Sequence, residues 1–392
     1  MHRSLLPRCI ALFLFALVLT GSGLAAERVL DLTASDGVKL KVTFFPAAKP
    51  GPGVLLLHQC NRQRKVWDSL ARELATAGIN VVTMDLRGFG ESGDERQDKL
   101  APATAQAQAA KWPGDIDKAF DFLISQAGVA RDTIGVGGAS CGVNNSVQTA
   151  RRHPEVKSLV LLSGNTDLNG RNFLRSASKT PVFFAYADDD EFPPSVFAIQ
   201  WLYSLAADPE KELVHYATGG HGADIFPVHP ELPSIIVDWF VTTLIKTPGH
   251  APVPKETPVL PKEVAIVDRI DQPGGANEVA KMLETARAAD PKASLFPEAS
   301  VNFMGYEHMQ AGDMKAAIEI LKLNAVASPN SPNVYDSLGD VYLADGQKDL
   351  ARQNSKKALE LLPSDTTDPE ARKKGIRDSA EGKLKQLGEG PQ

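Results

Sequence analysis

The sequence has few cysteines and no excess of positive charge. Among its 392 residues there are three cysteines, and 42 lysines and arginines stand against 48 aspartates and glutamates, so the net charge is −6. This balance gives no basic footprint for nucleic acid and no polybasic patch for a membrane surface. The cysteines and histidines do not cluster at the spacing of a zinc site. We therefore expect no nucleic-acid partner, no metal and no cofactor.

Long apolar runs are missing beyond the N-terminus. Residues 1–26 contain the positively charged "MHRSLLPR", the short apolar run "CIALFLFALVLTG" and small residues that permit cleavage. This order is typical of a secretory signal peptide, and the run is shorter than the roughly 20 apolar residues of a membrane span. We expect an exported protein, periplasmic or extracellular, without a membrane span in its mature chain. Cleavage removes Cys9 and leaves Cys60 and Cys141 in a compartment that permits disulfides.

Short apolar runs alternate with amphipathic stretches over residues 27–246. The runs "GVLLLH", "NVVTMDL", "TIGVGGA", "KSLVLLS" and "PVFFAYA" are typical of strands buried on both faces of a parallel sheet. Stretches between them, such as "VWDSLARELATAG", have apolar residues at helical spacing. The alternation predicts an α/β domain with a doubly wound, mostly parallel sheet.

A proline-rich segment, residues 247–275, separates this domain from a helical one. Six prolines and no persistent periodicity predict a semi-rigid linker. In residues 276–392 the sequence matches itself at an offset of 34, through the pairs Gly305 and Gly339, Gly312 and Gly346, Ala317 and Ala351, Pro329 and Pro363. This helix-turn-helix period resembles the tetratricopeptide repeat. We expect a small, separable all-α domain that binds a protein partner or docks beside the catalytic mouth, or that only stabilises the chain.

The segment "GVGGASCGVNNS" places Ser140 and Cys141 side by side between small residues. It follows a predicted strand and precedes a predicted helix, which is the context of a G-x-S-x-G nucleophile turn. Such a turn needs small residues two positions to either side of the nucleophile. Gly138 and Gly142 flank Ser140 in this way, whereas the β-branched Val143 follows Cys141 by two positions. The register therefore favours Ser140 as the nucleophile and gives Cys141 the backbone N–H that faces an oxyanion; a structural turn is the alternative.

A catalytic serine needs an acid and a histidine, here in the chain order serine, acid, histidine. His221 lies in the glycine-rich "ATGGHGADIF", just after a predicted strand and at the sheet edge where α/β proteins bind ligands. The strand "PVFFAYA" is followed by three aspartates. Asp190 is the first candidate for the acid and Asp189 the second, and a solvated loop or helix N-cap is the alternative role of this cluster.

The loop after "GVLLLH" supplies the second oxyanion donor, and Cys60 is the best-placed residue. The amides of Cys60 and Cys141 must both point at one oxygen, each at about 2.7–3.1 Å. This brings the two residues near the Cα separation of roughly 4.4–6.8 Å that a disulfide allows. We expect them to lie within bonding reach, and the alternative to a disulfide is two small buried side chains that point apart.

Taken in order, "LLLHQC", "MDLRGFGESG", "GGASCG", "YADDDEFPP" and "GGHG" resemble the motifs of the α/β-hydrolase family. The resemblance implies Ser140 as nucleophile, His221 as general base and Asp190 as its orienting partner. Gln59 departs from it, because the family usually has glycine after the histidine. The 17 residues between "KSLVLLS" and the next strand are too few for a cap domain, so the chain is similar to open-site dienelactone hydrolases and small esterases.

The predicted function is therefore that of an exported serine hydrolase. It would cleave accessible small-molecule carboxylic esters through an acyl-enzyme intermediate, without metal or cofactor. Two alternatives stay open. One is a peptidase of the same fold, although such peptidases often carry a propeller or a cap. The other is a catalytically silent protein that holds a partner with its repeat domain.

Overall fold

The computed structural model describes residues 26–254 and 256–388, and its first domain is built on one eight-stranded sheet. The sheet strands are β1 Arg28–Thr33, β2 Lys39–Phe45, β3 Gly51–Leu57, β4 Asn80–Met84, β5 Val129–Ala139, β6 Val156–Leu162, β7 Val182–Ala187 and β8 Lys211–Tyr216. Their spatial order is β1-β2-β4-β3-β5-β6-β7-β8. β2 pairs antiparallel with β1 and β4, and every other pairing is parallel. The predicted, mostly parallel α/β sheet is confirmed.

Helices cover both faces of this sheet. In the first domain they are α1 Asp68–Thr76, α2 Pro102–Ala109, α3 Trp112–Ser125, α4 Cys141–Arg152, α5 Leu168–Ser176, α6 Pro193–Leu205 and α7 Glu231–Val241. Strand β3 shows why its sequence is apolar throughout: Leu55 and Leu57 belong to one buried core, Val54 and Leu56 to another. Successive side chains of a strand point to opposite faces, so an all-apolar strand fits only a sheet covered on both sides.

The C-terminal region is helical. Its helices are α8 Lys262–Ile270, α9 Gly275–Ala289, α10 Glu298–Gln310, α11 Met314–Ala327, α12 Pro332–Ala344, α13 Lys348–Leu361 and α14 Glu370–Gln386. Helix α8 lies inside the segment that the sequence predicted to be an irregular linker. Its buried Val264, Val267 and Ile270 explain the difference: one apolar face about two turns long orders the backbone despite the surrounding prolines.

The 34-residue repeat corresponds to repeated pairs of helices. Helices α10 and α12 begin 34 residues apart, as do α11 and α13. A Cβ added at Gly305 would lie 2.5 Å from the Leu321 side chain, and one added at Gly339 would lie 2.9 Å from Ser355 Oγ. Glycine at these positions therefore allows the paired helices to approach. The likeness to a tetratricopeptide repeat stays a prediction from the sequence.

The helical region shares its core with the sheet domain. Val267 of α8 and Met304 of α10 belong to the same apolar cluster as Leu202 of α6. Arg171 of α5 is fully buried and donates to Asp271, which follows α8, at 2.7 and 2.9 Å. This geometry does not match the expectation of a separable tail, because one core crosses the boundary between the two regions.

The predicted signal peptide falls almost entirely on residues 1–25, which lie outside the described residues. Within the described part of the chain, no helix combines the length and the apolar character needed to cross a membrane.

Candidate active site

Ser140 lies in a tight turn between β5, which ends at Ala139, and α4, which begins at Cys141. Its backbone has φ 53° and ψ −118°, a conformation that side chains with a Cβ rarely adopt and that clusters at functional sites. The flanking glycines are required by space. A Cβ at Gly138 would lie 2.1 Å from the Gly142 carbonyl oxygen, and one at Gly142 would lie 2.3 Å from a backbone oxygen of β3. The register predicted from the sequence therefore has a direct steric cause, and it centres the turn on Ser140.

Asp190 and His221 form a buried pair at the same edge of the sheet. His221 Nδ1 lies 2.9 and 2.8 Å from the two carboxylate oxygens of Asp190, and the two residues are 2% and 4% exposed. Both carboxylate oxygens accept, so we assign the proton to Nδ1, which leaves Nε2 as the basic nitrogen. The neighbouring Asp189 instead accepts from the Gly220 N–H at 2.8 Å. The structure thus places the first candidate acid, and not the second, against the histidine.

The loop that carries His221 packs on the turn that carries Ser140. Gly222, directly after His221, has φ +61°, and a Cβ there would lie 3.0 Å from Cβ of Ala139, directly before Ser140. Predicted nucleophile, base and acid thus come from the ends of three elements of one sheet. The loop with the paired histidine thus lies against the residue that precedes Ser140.

Gln59 joins the two loops, a role that the sequence did not reveal. It is fully buried, and its Nε2 donates to the His221 carbonyl oxygen at 3.1 Å and to Asp224 at 3.3 Å. Its Oε1 accepts from the Ala223 N–H at 2.8 Å. The departure from the family's usual glycine therefore supplies a side chain that ties the loop after β3 to the histidine loop. The buried amide could not be recognised from sequence because its partners lie more than 160 residues away.

Cys60 and Cys141 are joined by a disulfide, with a Cα separation of 5.8 Å. This confirms the prediction that they lie within bonding reach. Cys141 is the first residue of α4, where a backbone N–H has no partner within its helix. Among the described residues the Cys60 N–H donates no hydrogen bond either. The N–H groups of the two residues that the disulfide joins thus have no hydrogen-bond partner among the described residues.

His58 and Asp85 flank the site but are held in structural contacts. His58 is fully buried and accepts from the Leu86 N–H through Nε2 at 3.0 Å, and burial lowers the pKa of its ring. Asp85 accepts from the backbone N–H groups of Arg64 and Glu91 at 2.7 and 2.8 Å and pairs with the Arg64 guanidinium. Neither side chain is free for chemistry. Across residues 26–254 and 256–388, no group of three or more potential ligands is arranged to hold a metal ion.

The chain is similar to known hydrolases. Residues 48–180 match the family model described as serine aminopeptidase, S33. A solved esterase of Pyrococcus furiosus is 19% identical, with a TM-score of 0.44 over 60% of this chain and 96% of that one. A dienelactone hydrolase from Anabaena variabilis is 18% identical, with a TM-score of 0.44 over 56% of this chain and 98% of that one. No curated protein matches the sequence.

The family-model match includes Ser140 and ends before Asp190 and His221. The sheet to which the matched residues belong has antiparallel pairings of β2 with β1 and β4 at one edge, followed by parallel strands. Together they support an α/β-hydrolase fold for the first domain and a hydrolase activity for the chain.

Proposed function

We propose that this protein is an exported serine hydrolase that cleaves carboxylic esters. Ser140 is the nucleophile, His221 the general base and Asp190 the acid that orients it. The observation that carries the proposal is the Ser140 turn with φ 53°, packed against a loop whose histidine is paired to a buried carboxylate. A turn with only a structural role needs neither a serine at positive φ nor a buried histidine–carboxylate pair beside it.

The proposed mechanism follows from these positions. Ser140 Oγ attacks the acyl carbonyl while His221 Nε2 takes its proton, and Asp190 stabilises the imidazolium that forms. The N–H groups of Cys60 and Cys141 donate to the oxyanion, and losing one such donor typically costs about 10²–10³ in rate. His221 then gives its proton to the leaving alcohol. In the second half, His221 takes a proton from water, which attacks the acyl-enzyme; the bond between Ser140 Oγ and the acyl group breaks, and His221 returns the proton to Ser140.

Substitution of Ser140 tests the proposal. We expect Ser140→Ala to abolish hydrolysis of p-nitrophenyl acetate and labelling by a fluorophosphonate probe, because the attacking oxygen is gone. Cys141→Ala should retain a substantial fraction of activity, since its backbone N–H remains. An inactive Cys141→Ala beside an active Ser140→Ala would show that the nucleophile is assigned wrongly.

A peptidase is the second candidate, favoured by the description of the matching family model. Rates on p-nitrophenyl acetate and on a peptide anilide, measured with one preparation, distinguish the two. A chain that the fluorophosphonate leaves unlabelled would instead be a binding protein that uses its helical region.

A further inference from the structure

A cavity of about 280 Å³ lies between the sheet domain and the helical region. Helix α6 contributes Phe197 and Trp201 to its wall, α10 contributes Ala299 and Phe303, and Asn165 comes from the loop after β6. The lining is mainly apolar, which is typical of sites for small organic ligands. We call it the α6–α10 cavity.

Two walls of the α6–α10 cavity follow directly in sequence on residues that contact the candidate active site. A Cβ at Gly164 would lie 2.5 Å from the Ser140 carbonyl oxygen, so the loop that carries Asn165 touches the nucleophile turn. On the other side, the Phe192 ring lies 4.8 Å from the His221 ring, measured between centroids. Phe192 is half exposed and directly precedes α6, whose first turn also lines the cavity. Both walls are therefore continuous with residues beside the serine and the histidine.

Buried charges fix the wall that α10 supplies. Ala299, Phe303 and Glu307 are spaced four residues apart and so share one face of the helix. Arg171 donates to Glu307 Oε2 at 2.5 Å, and its guanidinium carbon lies 4.7 Å from the centroid of the Trp201 ring. The same arginine thus holds the helix and packs on the cavity wall, which gives the cavity a defined shape.

The size and lining of the cavity indicate its occupant. A dry apolar cavity of about 150 Å³ holds a benzene ring, so the α6–α10 cavity has room for a larger group, of roughly eight to ten carbons. The Asn165 side-chain oxygen is buried and accepts no hydrogen bond among the described residues.

We propose that the α6–α10 cavity binds the apolar part of the ester, so that the helical region selects substrates in place of the missing cap. The inference rests on the proposed function. It implies that an acetyl group, too short to leave the catalytic centre, is handled by the sheet domain alone. A medium-length acyl chain reaches past Asn165 and gains contact with Phe303.

Filling the cavity tests this inference. Ala299 is exposed on the rim, so Ala299→Trp adds bulk to the cavity without burying it in the core. We expect kcat/KM for p-nitrophenyl octanoate to fall about tenfold or more, and kcat/KM for p-nitrophenyl acetate to stay within about twofold of wild type, because only the longer chain reaches the pocket. Val326→Trp is the matched control, since Val326 is also exposed, at 56%, and does not line the cavity, and it should change neither value.

The outcomes separate the two proposals. If Ala299→Trp leaves octanoate hydrolysis unchanged, or lowers both esters equally, the cavity does not bind the chain. The same conclusion follows if the wild-type protein has no higher kcat/KM for octanoate than for acetate. If neither ester is cleaved and Ser140 is not labelled by a fluorophosphonate, the proposed function itself is overturned.

Discussion

At the scale of single residues, Gln59 connects two loops whose relative position matters for the proposed chemistry. Its amide bonds three groups, the His221 carbonyl, the Ala223 N–H and the Asp224 carboxylate. All its partners belong to the histidine loop, while its own backbone belongs to the loop of the oxyanion donor Cys60. We infer that Gln59 is a positioning residue, which acts through the placement of His221 and does not touch the reacting atoms.

Removing the Gln59 amide should lower turnover more than it weakens substrate binding. We expect Gln59→Ala to reduce kcat on p-nitrophenyl acetate by about 10- to 100-fold with little change in KM, because a small displacement of the base carries a cost of this order. Asn61→Ala, at an exposed position in the same loop, is the control and should leave kcat unchanged. A rise in KM at constant kcat would assign Gln59 to substrate binding instead.

The Cys60–Cys141 disulfide closes a loop with a sequence separation of 81 residues. A bond that closes a loop of this length is typically worth about 2–4 kcal/mol of unfolding free energy. The Cys60→Ser, Cys141→Ser double variant should lose stability of this order in denaturant unfolding and keep measurable esterase activity, because both backbone N–H groups remain. Thiol titration of the unfolded, unreduced mature protein should find no free thiol, and two free thiols per chain would contradict the bond.

At the scale of elements, the turn between β5 and α4 depends on backbones that pass closer than side chains permit. Strand β5 lies beside β3 in the sheet, and α4 starts directly above the end of that neighbouring strand. The carbonyl oxygens of Leu57 and Gly142 occupy the space where a Cβ at Gly142 or Gly138 would stand. The chain can therefore hold Ser140 at positive φ only while these glycines remain.

A pair of glycine substitutions isolates this effect. We expect Gly138→Ala to abolish activity and to cost about 1–3 kcal/mol or more of stability, because the added methyl overlaps the Gly142 carbonyl. Gly114→Ala in α3 is the contrasting control: no atom lies within 4 Å of the added Cβ, and alanine there should add about 0.4–1 kcal/mol. Thermal unfolding and ester hydrolysis measure both. An active Gly138→Ala would show that the turn is not confined in this way.

At the scale of the whole molecule, buried charges hold the helical region on the sheet domain. Arg171 and Arg175 pair with Asp271, and Arg171 also pairs with Glu307. Burial raises the pKa of Glu307 to about 7, although the charge of Arg171 acts to lower it. For Asp271 burial acts to raise the pKa, but the hydrogen bond with His308 and the charges of the two arginines lower it well below its ordinary range.

These pKa shifts predict how the stability of the folded protein depends on pH. The pKa of Glu307 is raised on folding, so its contribution to stability is full below its ordinary pKa and is lost as pH rises through about 7. Asp271 has the opposite sign, and its contribution is lost only in strong acid. Between pH 6 and 8.5, we expect the Tm of the wild type to fall by a few °C more than the Tm of Glu307→Gln. This corresponds to about 1 kcal/mol of unfolding free energy. Glu284→Gln, at an exposed position of α9, should follow the wild type, and a Glu307→Gln curve parallel to both would contradict the prediction.

Local sequence alone determined the sheet, the Ser140 turn and the helix pairs. An apolar run of strand length indicates a strand buried on both faces. Glycine is needed two residues from Ser140 because of atoms within the turn and at the end of the adjoining strand. The 34-residue repeat can be recognised in the sequence itself, because equivalent positions of the two helix pairs meet the same packing constraint. Asp190 and His221 could also be placed, since each follows directly after a strand and strand ends meet at one edge of a parallel sheet.

Tertiary structure alone decided the role of Gln59, the helix within the proline-rich segment and the position of the helical region. Gln59 and Arg171 make their contacts with residues about 100 to 165 positions away, and no local pattern encodes such a partner. The sequence alone does not distinguish a buried arginine from one exposed to solvent. The α6–α10 cavity has the same origin: its two walls come from regions that share no motif, and they meet only because one apolar core and one group of buried charges fold both regions together.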